Sequence, residues 1–312
     1  MAAAKTKIAG IPLDSYIFNA SGINDSTFEE LETIANSASP AIMMKSCTIN
    51  PRKGNDEPRY SHLPHGSIQC MGLPNLGYKE YIKFASRLKK YKKPIIASVA
   101  GLHPDDYSLL VEAFQKSNAD LIEINLSCPN IEGKSQIAYD TSLAESILSG
   151  IWKLGKKPLG LKLPPYYDSA HQEEMAELIK RFNISFITCI NSIGNALAIN
   201  PETETAMLKP KKGLGGLCGD YIKPVALGNI RNFYEIFGRE KEKISIIGVG
   251  GIKSGSDAFE FLLAGADAVQ IGTAFEREGP SCFKRINKEL ESILGKKGYR
   301  SAQEAKGRLK YL

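Results

Sequence analysis

Short apolar runs alternate with longer segments of helical period along most of the chain. Eight of the runs are too short for helices and bounded by polar or turn residues, so they read as buried strands; that of Leu121–Asn125 is also β-branched. They are Tyr16–Ala20, Ala41–Ser46, Pro94–Ala100, Leu121–Leu126, Pro158–Leu163, Phe186–Asn191, Ile244–Val249 and Ala268–Gly272. Each is followed by an amphipathic pattern: Ser26–Ser37, Gly77–Tyr91, Pro104–Ser117, Ser142–Leu154, Ala170–Phe182, Pro224–Phe237, Ser254–Ala264 and Pro280–Leu294. Ser26 with Glu29 three residues on fits a capping box, and Pro104 and Pro280 suit a first helical turn. Eight βα units in unbroken series predict an α/β protein, a (β/α)8 TIM barrel with one closed parallel sheet. The whole of residues 1–312 is expected to form a single domain. A doubly wound sheet would need a G-x-G-x-x-G turn after its first strand, and Asn19-Ala-Ser-Gly-Ile-Asn24 does not supply one.

Two connections, 47–76 and 193–223, exceed simple βα loops and show little helical period. They are expected as long loop insertions at the C-terminal face, covering an active site or building an interface.

Composition narrows the class. An apolar content of 43% in 312 residues is ample for a large core. The net charge of +6 is mild, and the pairs Lys89-Lys90, Lys92-Lys93, Lys156-Lys157 and Lys296-Lys297 fall at helix ends. There they complement helix dipoles, which argues against a nucleic-acid partner. Cys47, Cys70, Cys128, Cys189, Cys218 and Cys282 show no C-x-x-C or zinc spacing, so no metal is expected. The first residues lack the apolar core of a signal peptide, and no run approaches the ~20 apolar residues of a membrane span. These features predict a cytoplasmic protein with reduced thiols and no membrane partner.

Candidate chemistry clusters at the carboxyl ends of the strands, where barrels of this kind keep their active sites. The fourth strand runs into Asn125-Leu-Ser-Cys-Pro-Asn130, which delivers two amides and a thiol to one loop. Pro129 has no backbone donor and restrains Cys128 to extended geometry. A lone Cys can equally be a small buried hydrophobe, and Asn a turn former. Lys45 and Lys162 each end an apolar run, and an ammonium there should face something negative or electron-rich. Either could instead pair with a barrel carboxylate. Gly250-Gly251 and Gly272-Thr273 follow strands seven and eight, the usual phosphate cradle of the fold. A phosphate site, two lysines and a thiol among amides suggest flavin mononucleotide (FMN) over a substrate.

With these residues assembled, the chain resembles the dihydroorotate dehydrogenases, in particular the soluble, fumarate-using class 1A. The resemblance runs from about Ile8 to Leu312. It includes Asn19-Ala-Ser-Gly22, Lys45-Ser46, Arg59-Tyr60, Met71-Gly-Leu-Pro-Asn75, Asn125–Asn130, Lys162-Leu-Pro-Pro165, Asn191-Ser-Ile-Gly-Asn195, Gly215-Gly216, Gly250–Gly255 and Gln270-Ile-Gly-Thr273. The membrane-bound class places Ser where Cys128 stands. The resemblance implies oxidation of (S)-dihydroorotate to orotate in pyrimidine synthesis, with fumarate reoxidising the flavin in ping-pong fashion in a homodimer. Cys128 would be the base that takes the C5 proton while the C6 hydride passes to flavin. Asn125, Asn130, Asn191 and Ser192, with Met71, Gly72 and Leu73, would hold the substrate ring and carboxylate. Lys45 would touch flavin and substrate, and Lys162 the flavin ring. Ala20, Ser21, Ser46, Asn125, Ile190, Gly219, Gly250, Gly251, Gly272 and Thr273 would complete the FMN site. The segment from Ser127 to Gln136, with Gly133 inside it, would close over the substrate.

Several positions depart from the family pattern. Gln69 stands where the family has Asn, Cys70 replaces Ser, and Cys218-Gly219 replaces a Gly pair. Thr188-Cys189 replaces an Asn-Ser pair, and Ala196 a Gly. Gln69 would carry its amide one methylene further toward the substrate, which predicts that dihydroorotate is held less well than in relatives carrying Asn. Alternatives are a paralogue acting on another dihydropyrimidine or small unsaturated acid, and a catalytic subunit that needs an iron–sulfur partner. A non-catalytic nucleotide-binding barrel would not require Cys128 and both lysines together.

Overall fold

The computed structural model describes residues 4–128, 136–238 and 243–312. All eight expected strands form, as Ile17–Asn19, Ile42–Met43, Ile95–Val99, Leu121–Asn125, Leu159–Leu163, Phe186–Cys189, Ser245–Val249 and Ala268–Ile271. They make one parallel sheet in which the first strand lies beside the eighth, and each of the others beside its sequence neighbour down to the second. No backbone ladder joins the first strand to the second. The Asn19 carboxamide bridges that seam, donating to Met43 O at 2.8 Å and accepting Met43 N–H at 3.0 Å. A side-chain amide thus stands in for a peptide group and satisfies two buried backbone partners.

Alternation along the strands sorts the barrel interior into two layers. Phe18, Met43, Ile96, Leu121, Phe186, Ile247 and Ala268 pack in one cluster that fills its lower part. An N-terminal hairpin, Thr6–Ile8 with Ile11–Leu13, adds Ile8 and Leu13 to that cluster and caps the amino end. Gly160 sits opposite Phe186, and a Cβ there would lie 2.2 Å from the phenyl ring, so glycine makes the room. Two residues further along the same strands stand Lys45, Ser98, Glu123, Lys162, Thr188 and Gln270, all buried. The upper layer of the interior is therefore polar.

The helices form where the periodicity placed them, with shifts of up to three residues at their ends. The capping box of the first helix, Phe28–Ala35, is one residue later than expected, on Thr27 and Glu30. The Glu30 carboxylate accepts from both Ser26 N at 2.7 Å and Thr27 N at 3.0 Å. Starting at Phe28 buries that ring, which decides the register. Pro104 takes the first helical turn as expected, while Pro280 stands one residue ahead of Ser281–Lys296. A short helix, Thr273–Glu278, follows the eighth strand directly.

The two long connections are not irregular. Tyr60–Leu63, Gly66–Gln69, Ile193–Leu197 and Leu214–Gly219 pair into a four-stranded antiparallel sheet. Gln69 faces Gly216 and Ser67 faces Cys218 in its register. Neither half alternates apolar and polar residues cleanly; each forms a two-stranded antiparallel pair of its own, and the pairing of Gly66–Gln69 with Leu214–Gly219 joins the two.

Candidate active site

A cavity of about 710 Å³ opens at the carboxyl end of the barrel. That is within the size of small-ligand and cofactor sites. Its floor and walls come from the barrel strand ends: Ala20 and Ser21 from the first, Lys45 and Ser46 from the second, Asn125 and Cys128 from the fourth. Lys162 follows from the fifth, Ile190, Asn191 and Ser192 from the sixth, Gly250 and Gly251 from the seventh, Gly272 and Thr273 from the eighth. The four-stranded sheet and the segment that follows Gln69 contribute Gln69, Met71, Gly72, Leu73 and Gly219. Every site residue expected from sequence lines this one cavity except Asn130. Asn130, with most of the segment expected to close over the substrate, lies outside the described residues.

The polar floor is wired together. Ser46 N donates to Ser21 Oγ at 3.0 Å, and the Ser46 and Ser98 hydroxyls are 2.7 Å apart. Asn125 Nδ2 donates to Ser46 Oγ at 3.1 Å. Beneath lies Glu123, fully buried, accepting from Thr188 Oγ1 at 2.7 Å and Ser98 Oγ at 3.4 Å. Asn125 Oδ1 accepts both the amide and the hydroxyl of Ser127 at 3.1 Å. Asn191 Nδ2 donates to Ser127 O at 3.1 Å, so two strand-end amides fix the chain that presents Cys128. Such mutually satisfied networks hold their members in one geometry.

Both lysines are buried and both are engaged. Lys45 Nζ donates to Gly22 O at 3.0 Å, and Lys162 Nζ to Gln270 Oε1 at 3.3 Å. Burial lowers the Lys162 ammonium from its ordinary range, with Glu123 opposing that shift. Cys128 is half-buried, whereas Cys47, Cys70, Cys189 and Cys282 are buried in the core. Burial pushes the Cys218 thiol, which also lines the cavity, up to about 11.

The residues fit a flavin nucleotide on two observations. Gln270 Nε2 is buried without a partner at the cavity wall, a donor that an occupant with ring carbonyls or nitrogens would satisfy. Gly250 and Gly251 both take positive φ, +137° and +71°, a turn that side-chain-bearing residues enter at a cost. Sequence reasoning passed over Glu123, Gln270 as a site residue, and Asp25. Glu123 and Gln270 carried a signal: each is a polar residue in step with the inward-facing positions of a buried strand.

Gln69 lines the cavity, and its amide is also tied to two neighbouring groups. Its Nε2 donates to Ser192 Oγ at 3.2 Å, and its Oε1 accepts Met71 N–H at 3.1 Å. The additional methylene spans the gap between the four-stranded sheet and the sixth strand end. Cys70 beside it is fully buried and packs with Ile68 and Leu208.

A parallel eight-stranded barrel with a cofactor-sized, lysine- and amide-lined cavity at its carboxyl face defines an α/β-barrel enzyme. The chain belongs to the dihydroorotate dehydrogenase family, whose pattern it matches over residues 3–294, and is thus an oxidoreductase. It is 45% identical to a Streptococcus agalactiae protein named dihydroorotate dehydrogenase A (fumarate), over 100% of both chains. The identity is also 45% to a Streptococcus pyogenes protein of the same name, covering 100% of this chain and 99% of that one. Among solved structures, ligand-free DHODH from Eimeria tenella superposes with a TM-score of 0.82 at 21% identity, covering 98% of this chain and 91% of that one. The same organism's DHODH in complex with ferulenol gives a TM-score of 0.81 at 20% identity, over 98% and 88% of the two chains. At that identity the likeness speaks for the fold. Among the described residues, no helix is long and apolar enough to cross a membrane, and no cluster of His, Cys, Asp and Glu could hold a metal ion.

Proposed function

We propose that the protein oxidises (S)-dihydroorotate to orotate in pyrimidine biosynthesis, with FMN held in the described cavity and fumarate as the electron acceptor. The observation that carries the reading is the convergence of Cys128, Lys45, Lys162 and the Asn125–Asn191 amides on one cavity, in a chain of this family. The backbone of Gly250-Gly251 and Gly272-Thr273 would cradle the FMN phosphate, with Ala20, Ser21, Ser46, Ile190 and Gly219 around the rest. Lys162 and the Gln270 amide would meet polar atoms of its ring system. Bound FMN supplies the hydride acceptor, and fumarate removes those electrons in a second half-reaction.

The chain's own residues do the rest. The Cys128 thiolate takes the C5 proton of dihydroorotate, a step for which a positioned base is worth roughly 10²–10⁴-fold. The amides of Asn125, Asn191 and Gln69, with Ser192 and the Met71–Leu73 backbone, match the carbonyls, N–H groups and carboxylate of the substrate. Asn130 is assigned to the same set from the family motif. Lys45 supplies positive charge for the carboxylate. Residues 1–312 act as one catalytic domain in the cytoplasm, as a homodimer. Leu197 and Ile199, exposed at 51% and 59% on the 193–223 segment, support that pairing.

The test is spectroscopic. The purified protein should be yellow and release FMN on heating in roughly equal amount to the chain. Under anaerobic conditions dihydroorotate should bleach it and fumarate restore the colour. Failure to bleach refutes the substrate, and bleaching without recolouring by fumarate favours a subunit that needs an iron–sulfur partner.

A further inference from the structure

Asp25 lies in the turn between the first strand and the first helix. It is fully buried, and sequence reasoning gave it no role. Its Oδ2 accepts the Gly22 N–H at 2.8 Å, while Oδ1 is buried without a partner. Gly22 in turn offers its carbonyl to Lys45 Nζ at 3.0 Å, and the Asp25 carbonyl accepts Lys45 N–H at 3.3 Å. A Cβ on Gly22 would sit 3.7 Å from Lys45 Nζ, so the ammonium lies over this turn. The carboxyl therefore ties down the platform on which a cavity-lining lysine rests.

The charged and titratable groups that face Asp25 are few. Lys45 and Lys162 act on it from the second and fifth strands, Glu30 from the first helix and Tyr81 from the second. Tyr81 donates its hydroxyl to Ser26 O at 3.0 Å. Burial raises the Asp25 carboxyl to about 7, against the pull of the Lys45 charge and the Gly22 N–H.

We propose that Asp25 is a positioning residue for Lys45: it fixes the Gly22 turn under the ammonium, and its ionisation sets how much positive charge an anionic ligand meets in the cavity. The proposal deepens the reading of the cavity as a site for dihydroorotate and orotate, and rests on it. With Asp25 neutral, the Lys45 charge is felt in full by a carboxylate ligand. With Asp25 ionised, a negative charge behind the lysine partly cancels it. At an effective dielectric of about 20, a unit charge set behind the lysine changes an anion's affinity on the order of 10-fold.

The experiment is a titration of the oxidised, FMN-loaded protein with orotate from pH 5.5 to 8.5, followed by the flavin absorbance change. The wild-type Kd should rise roughly 10-fold as pH increases, with its midpoint near Asp25's own titration. Asp25→Asn, uncharged and of the same shape, should bind at the low-pH affinity throughout, with unchanged FMN content and a cooperative melt at or above the wild type's as controls on folding; Asp25→Ser, too short to hold the Gly22 N–H, should lose the pH dependence as well and bind orotate more weakly. A variant that keeps the wild-type pH profile, or a wild type with a flat one, overturns the proposal. Infrared difference spectra across the same range decide the matter independently of orotate. The C=O band of a protonated buried carboxyl should disappear near neutrality in the wild type and be missing from Asp25→Asn, and a wild type without that band refutes the proposal. If orotate leaves the flavin spectrum unchanged at every pH, the substrate reading fails and the infrared band still decides on Asp25.

Discussion

Shortening Gln69 to Asn brings the residue back to the family pattern, and the structure predicts that this harms the site. The glutamine amide is held at both ends, to Ser192 Oγ at 3.2 Å and from Met71 N–H at 3.1 Å. Removing one methylene withdraws the amide by about 1.5 Å, the length of a carbon–carbon bond. A 3.2 Å contact lengthened that far is no longer a hydrogen bond. Each bond contributes about 0.5–1.5 kcal/mol net, so losing both costs about 1–3 kcal/mol, or roughly 5- to 150-fold in an equilibrium or rate. Ser192 and Met71 would lose their fixed positions at the substrate end of the cavity, and a positioning error of about 1 Å can cost on the order of 10²-fold. Gln69→Asn should therefore lower kcat/KM for dihydroorotate by about 10-fold and weaken orotate similarly, with FMN content unchanged. Steady-state kinetics and orotate titration of the flavin spectrum measure both. A variant whose kcat/KM equals or exceeds that of the wild type would refute the bridge, and would restore the expectation from sequence that glutamine fits the substrate less well.

Three further outcomes are expected. Cys128→Ala should retain FMN and slow anaerobic bleaching by dihydroorotate by roughly 10²-fold or more, while Cys128→Ser keeps activity that rises with pH; alanine bleaching at the wild-type rate would make Cys128 structural. Asn19→Ala strands the Met43 N–H and C=O in the barrel wall, and urea unfolding should show a loss of about 2–6 kcal/mol, at about 1–3 for each unsatisfied group; a loss well below that range would mean that water or backbone movement closes the seam. Asp25 keeps its proton to about pH 7 in the folded protein but loses it near 3.8 when unfolded, so its contribution to stability falls as pH rises between those values. Asp25→Asn should melt increasingly above the wild type from pH 5 to pH 8, by a limit on the order of 4 kcal/mol at about 1.4 per pKa unit, and a difference independent of pH would contradict the burial argument.

The (β/α)8 architecture was legible because its signal is local. Eight apolar runs and eight helical periods each declare themselves within a dozen residues, and a parallel barrel brings all strand carboxyl ends to one face. The order of residues alone therefore put Lys45, Cys128, Lys162 and the Gly250-Gly251 turn in one place. The inward layer of Ser98, Glu123, Thr188 and Gln270 was present in the same period-two pattern. Tertiary structure decided what depends on partners distant in sequence. The strands around Gln69 and Gly216 are short and glycine-bearing, and neither has an apolar face that marks it as a strand before the two meet. The barrel seam closes through the Asn19 side chain, which a count of strands cannot distinguish from a backbone ladder. Asp25 reads in sequence as an ordinary turn acid, and only burial beneath Lys45 gives it a titration near neutrality. Gln69 has the same amide as an asparagine, and only the distance from the four-stranded sheet to Ser192 makes its length matter. Periodicity fixes which way a side chain points, but desolvation and reach are set by groups that the fold brings from elsewhere in the chain.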